Sequence, residues 1–183
     1  ADGADVVFLS GATEAAALAC AGRDLRGAAV EHDAVRAWID AVLPVDAAGQ
    51  VVVSDPARTA LQAANSETGV IQELPQGLAV VDATQAFGKI PFAFNWAGCT
   101  AALVSAHKLG GPKGIGALVL RRGTDLSARM LGGGQEMGRR AGTENLIGIM
   151  GFAAAALASQ RDLEHGLWTK VEKLRNILEN VIA

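Results

Sequence analysis

Apolar residues come along this chain in short bursts, and most bursts close on small or polar residues. Val6-Val7-Phe8-Leu9 ends at Ser10-Gly11 and reads as a buried strand. Thr13-Glu14 then opens an Ala-rich helix through about Cys20. Ala28-Ala29-Val30 reads as a second strand, and Asp33 as the cap of a helix running through Trp38 to Val42. Val51-Val52-Val53 is apolar but short. Residues 61–64 and 78–81 are further strand candidates, followed by Asn65-Ser66-Glu67 and by Asp82. Residues 101–104 form another, ending at Ser105-Ala106-His107-Lys108, and 117–120 follow a Gly-rich turn. Glu144 starts a long helical pattern that reaches almost to Ala183.

Strands alternating with helices predict an α/β fold: a mostly parallel sheet with helices on both faces. Ligands of such sheets bind at the carboxyl ends of the strands. Polar residues recur at those ends here, at 10–13, 82–85 and 105–108.

Composition narrows the class. The chain has 183 residues, half of them hydrophobic and 19% charged, which suits one domain with a good core. A net charge of -3 gives no basic footprint for nucleic acid. No apolar run approaches the roughly 20 residues that span a bilayer, and the first residues lack the basic region of a signal peptide. The chain reads as cytoplasmic, with no membrane partner. Cys20 and Cys99 make neither a disulfide framework nor a zinc site and read as small core residues, and no metal is expected. Trp38, Trp96 and Trp168 read as packing residues, His165 as surface, residues 152–158 as a tightly packed helix face, and the charges of 161–179 as a solvated one.

Three stretches suggest chemistry. Ser10-Gly11-Ala12-Thr13 joins a strand to a helix, where small residues and free N–H groups suit an anion; an ordinary helix cap is the alternative. Lys108 stands at a strand end in an apolar, Gly-rich setting, where desolvation would favour a nucleophilic amine. Lys113 reads as a loop solubiliser or a locally packed residue. Asp82 follows an apolar strand, and a buried carboxylate needs a partner such as a pyridinium N–H; a helix N-cap is the alternative.

In order, Ser10-Gly11-Ala12-Thr13-Glu14, Glu31-His32, Asn65-Ser66-Glu67-Thr68-Gly69, Asp82-Ala83-Thr84-Gln85, Ser105-Ala106-His107-Lys108 and the run from Gly132-Gly133-Gly134-Gln135-Glu136 to Arg139-Arg140-Ala141-Gly142-Thr143-Glu144-Asn145 resemble cysteine desulfurase motifs. That family lies in the class V group of fold-type I enzymes that use pyridoxal 5'-phosphate (PLP). The resemblance implies that Lys108 holds PLP as a Schiff base and shuttles the substrate proton. It implies that Asp82 pairs with the pyridine nitrogen, that His32 stacks on the ring and assists proton transfer, and that Gln85 bonds the ring 3'-oxygen. Thr13, Ser105 and His107, with the backbone near Ala12, would bind the phosphate, and Thr143 would reach the phosphate of a neighbouring subunit in a homodimer. Without that context His32 would be a residue lining or capping a helix start, and His107 a satisfied strand-end histidine. The implied reaction converts L-cysteine to L-alanine with sulfur passed on as a persulfide, for iron-sulfur cluster assembly or other sulfur metabolism and with a sulfur-acceptor protein as a partner. Selenocysteine lyases and other class V lyases or aminotransferases share most of these motifs, and a non-catalytic dimerisation or scaffold remnant is a third reading.

The sequence departs from the family in three places. Ser66 stands where a second Asn is usual, and its hydroxyl is expected to donate to the ring oxygen instead. Residues 69–82 are shorter than the usual connection and hold Pro75 and Gly77, so an extended loop is expected where a crossover helix would run. The N-terminal substrate-binding segment and the C-terminal small domain, with its persulfide cysteine and carboxylate-binding arginine, have no counterpart. Residues 1–183 are therefore expected to be the PLP-binding large domain, a piece of a longer enzyme rather than a natural short form, and inactive alone.

Overall fold

The computed structural model describes residues 3–182. Strand β1 (Ala4–Leu9) leads into α1 (Ala12–Cys20). Then come β2 (Leu25–Ala28), the short α2 (Asp33–Arg36), β3 (Ile39–Leu43), β4 (Ala60–Gln62) and β5 (Val80–Asp82). The short α3 (Phe94–Ala97), β6 (Ala101–Ser105) and β7 (Gly116–Arg121) follow, and α4 (Leu146–Glu164) and α5 (Leu167–Ile182) complete the order.

Five strands form one sheet in the order β1-β7-β6-β5-β4. Strands β4, β5 and β6 pair in parallel, while β7 pairs antiparallel with both β6 and β1, so β7 alone runs against the rest. The expected mostly parallel sheet is thus a mixed one with a single reversed strand. Alternation of side chains splits the core into two layers. Val7, Leu9, Val80, Leu103 and Leu118 face α1 on one side. Leu61, Val81, Ala102, Val104 and Ala117 face Phe152 of α4 on the other. Burying each large aliphatic side chain contributes about 1.5–3 kcal/mol. An exposed ion pair such as Arg36–Asp33 adds less than about 1 kcal/mol. The sheet's two faces, not its surface charges, therefore hold the fold.

Several elements differ from the sequence expectation. The second strand covers 25–28 instead of 28–30, and Ala29 and Val30 turn toward α2. The helix expected through Val42 stops at Arg36, because Ile39–Leu43 pairs in parallel with β2 as a separate two-stranded sheet. The cap of α2 is His32 rather than Asp33. The terminal helix is two helices, broken where Gly166 takes a left-handed φ of 69° after His165, a conformation that ends a helix. Of the tryptophans, Trp168 packs half-buried and donates to the Gly88 carbonyl at 2.9 Å, whereas Trp38 and Trp96 are exposed. In the Ala-rich stretch Phe152 is buried and Ala153, Ala154 and Leu157 face out, so only one face packs. The connection from β4 to β5 is the expected loop without a helix. Cys20 and Cys99 are buried free thiols in the core, as expected.

One glycine fixes the end of the sheet where the chemistry gathers. A Cβ on Gly116 would lie 2.7 Å from the Gly11 Cα and 2.7 Å from the Val104 carbonyl oxygen, both backbone. Strand β7 therefore presses directly on the turn between β1 and α1. Gly116→Ala is expected to cost about 1–3 kcal/mol by forcing those backbones apart, read as a lower urea midpoint at unchanged slope. An unchanged midpoint would show that the turn has slack.

Candidate active site

The carboxyl ends of β1, β4, β5 and β6, the turn after β2 and the start of the reversed β7 meet around one pocket of about 510 Å³. Ala12, Thr13, His32, Ser66, Asp82, Gln85, Ser105, His107 and Lys108 all line it. These residues lie far apart in the chain, and the parallel strands bring them together.

At one end stands α1. Gly11 precedes it in an extended conformation, and no side chain caps its first turn. Its leading N–H groups are thus left to whatever binds beside Gly11, Ala12 and Thr13. Ser105 closes β6 and is buried, and a Cβ on Gly11 would come 3.9 Å from its hydroxyl. After β6, residues 106–109 make one tight helical turn. That turn buries Ala106 and half-buries Leu109, and it sends His107 and Lys108 outward to the pocket. Lys108 is exposed, so the enclosing apolar setting expected from its neighbours is not formed by them: Leu109 packs into the core and Lys108 does not. Burial and the nearby charges of Lys108, Lys113 and Lys89 lower the His107 imidazole's pKa.

Asp82 is the buried group, only 8% exposed at the end of β5. It accepts from the Thr84 amide at 2.9 Å, so the capping role is real, yet it also lines the pocket. Burial pushes its carboxyl above the usual range, opposed by the Thr84 bond and by nearby His32 and Lys108. Behind it lies Glu31, 4% exposed, with Oε2 accepting from the Gln62 amide at 2.9 Å and Oε1 without a partner. Burial and then Asp82 push Glu31 up to about 8.

His32 Nδ1 accepts from the Ala34 amide at 3.1 Å. The capping alternative therefore holds alongside its place in the pocket, and the neutral ring carries its proton on Nε2. Gln85 Oε1 accepts from Lys89 Nζ at 3.0 Å, so the group Gln85 offers a ligand is its amide N–H. Ser66 lines the pocket with its hydroxyl 3.2 Å from Glu67 Oε1. Asn65 is committed to structure: Nδ2 donates to the Val30 carbonyl, and Oδ1 accepts from the Glu67 and Thr68 amides.

Thr143 does not line this pocket. It lies in an adjoining cleft of about 260 Å³ with Glu136, Arg140 and Asn145, and Ser10 and Gly114 border both. Lys113, expected to serve the surface or pack locally, lines the main pocket. Sequence reasoning also left out Gln62 and Thr84 as lining residues. Thr84 stood inside a motif already singled out, while Gln62 closes a strand without any motif signal. Burial pushes the Cys20 thiol up to about 12 and the Cys99 thiol up to about 11, so both stay protonated in the core. Among the described residues no helix is long and apolar enough to cross a membrane.

The arrangement fits PLP on its own terms. A buried carboxylate with one amide partner suits a ring N–H, an uncapped helix end suits a phosphate, and a lysine opens into the same space.

Comparison with known proteins agrees. The profile described as Aminotransferase class-V matches residues 40–182. A cysteine desulfurase of Frankia sp. is 38% identical over 83% of this chain and 47% of its own length. The cysteine desulfurase IscS 1 of Archaeoglobus fulgidus is 34% identical over 98% of this chain and 56% of its own length. In structure, a NifS-like protein from Rickettsia africae superposes with a TM-score of 0.87 at 27% identity, over 98% of this chain and 57% of that one. The chain spans about half the length of the curated relatives it matches.

Proposed function

Because this chain belongs to the class-V aminotransferase family, a PLP-dependent family, we propose that it is the large, cofactor-binding domain of a cysteine desulfurase. The observation that carries the reading is the single pocket that gathers Lys108, Asp82, His32 and the uncapped end of α1. When bound, PLP supplies an electron sink for charge developing at the substrate Cα.

The chain's residues supply the rest. Lys108 Nζ anchors the cofactor and carries the substrate proton. The Asp82 carboxylate accepts the ring N–H and keeps the ring cationic. His32, its Nδ1 held by the Ala34 amide, presents Nε2–H for stacking and proton transfer. Gln85 donates its amide to the ring oxygen, and Ser66 joins it by turning its hydroxyl away from Glu67 Oε1. Thr13, Ser105, His107 and the backbone at Ala12 hold the phosphate, and Thr143 serves the site of a second subunit of a homodimer.

The whole enzyme would take L-cysteine and release L-alanine, its sulfur passing to an enzyme thiol as a persulfide and on to an acceptor protein. Neither cysteine here suits that thiol, since both are buried and protonated. The proposal therefore places it outside residues 1–183. A cytoplasmic setting suits these substrates.

The full-length enzyme, with the thiol that residues 1–183 do not supply, is expected, when given PLP and L-cysteine, to release one alanine for each sulfur passed to that thiol or freed by a reductant. Absence of alanine would reject the desulfurase reading. Faster turnover of another amino acid would move the assignment elsewhere within the family.

A further inference from the structure

We infer that Glu14 and Arg140 form a positioning pair that sets the charge at the phosphate end of the pocket and ties that end to the cleft holding Thr143. The inference rests on the cofactor reading above. Glu14 sits in the first turn of α1, and its Oε2 accepts from the Ser10 amide at 2.7 Å, pinning the turn that leads to Gly11, Ala12 and Thr13. Its Oε1 accepts from Arg140 Nε at 2.9 Å, and Arg140 Nη2 lies 3.5 Å from Oε2. Arg140 Nη1 also donates to the Ala141 carbonyl at 3.2 Å, inside the segment that ends at Thr143. Both side chains are about four-fifths buried, at 22% and 21% exposure.

A carboxylate in the first turn of a helix is ordinarily favourable, because it meets the positive end of the helix dipole. Here that end is uncapped and faces a pocket suited to a phosphate. Glu14 follows Thr13 in that first turn behind the pocket wall, and when ionised it is a like charge to a phosphate held at Gly11, Ala12 and Thr13. Burial pushes the Glu14 carboxyl up, but the bonds from Arg140 and Ser10 outweigh it and hold the group below its usual range, so it is charged at neutral pH. Arg140 cancels that charge. Glu136 is the other acid in the field of Arg140. The pair thus lets the helix end keep a pinned first turn without repelling the anion.

Charge, unlike simple structural support, makes the two single substitutions act in opposite directions. The test compares PLP with pyridoxal, which lacks only the phosphate, by absorbance titration of the cofactor-free protein. Arg140→Gln is expected to weaken PLP about tenfold by leaving Glu14 unopposed, and Glu14→Gln to tighten it several-fold. The double variant should return to near the wild-type value, and pyridoxal affinity should stay constant throughout. Arg140→Gln with unchanged PLP affinity, or both ligands weakened alike, overturns the inference while leaving the cofactor reading intact. If Arg140→Gln fails to fold, Glu14→Gln decides alone: weaker or unchanged PLP binding overturns it. A wild-type protein that binds neither ligand overturns the cofactor reading and this inference together.

Discussion

Lys108→Ala is expected to abolish the PLP adduct that borohydride fixes to this chain, and to leave its stability within about 0.5 kcal/mol of the wild type. The stability half follows from exposure: Lys108 stands outward on the turn after β6, while its neighbours Ala106 and Leu109 do the packing. Three lysines stand near enough to Gln85 or the pocket to compete as the cofactor's anchor. Lys113 lines the same pocket. Lys89 is half-buried, its pKa lowered by burial and by Lys108, and it is tied to Gln85. Lowered pKa alone would favour Lys89 as the nucleophile. Position favours Lys108, which opens into the pocket that also holds Asp82 and His32, whereas Lys89 does not line it. Peptide mapping after reduction separates the cases. A reduced adduct on Lys89 or Lys113 in the variant, at wild-type yield, would remove Lys108 from its role.

That pocket was largely legible in the sequence because its residues close strands. Ser10, Asp82 and Ser105–Lys108 each follow an apolar run, and a parallel sheet brings such ends together whatever their separation along the chain. Departures from the sequence reading have physical causes. Lys113 comes from a turn before β7, and only the reversal of that strand returns its start to the same end of the sheet. β3 was hidden because Ile39 to Leu43 continues an apolar-polar pattern that a helix also satisfies, and pairing with β2 decided it. The split between α4 and α5 turns on one residue, Gly166, inside a periodicity that runs through it. Trp96 illustrates the limit of composition: a large aromatic at 83% exposure cannot be told from a core residue without the fold. Glu31 belonged to a recognisable motif, but nothing in sequence shows that the fold closes over it.

The largest pH effect on stability is expected from that buried acid. Glu31 sits at 4% exposure with one amide bond and a second oxygen unpartnered, and burial with Asp82 raises it from 4.5 to about 8. The folded chain therefore holds a proton that the unfolded chain releases near 4.5. Stability from this group is fully present below about pH 4.5 and is lost as pH rises through about 8. The raised folded value costs about 1.4 kcal/mol per pH unit across that window, so about 3 kcal/mol by neutral pH. Glu31→Gln keeps an acceptor for the Gln62 amide and cannot ionise. The variant should match the wild type in urea melts near pH 5 and exceed it by about 4 kcal/mol near pH 8. Asp82 is raised in the same direction, so some slope remains in both proteins. Because Asp82 and Glu31 repel each other when charged, Glu31→Gln also eases Asp82, and the difference between the two proteins reads the pair. Parallel falls in the two proteins from pH 5 to 8 would show that Glu31 is ionised in the fold.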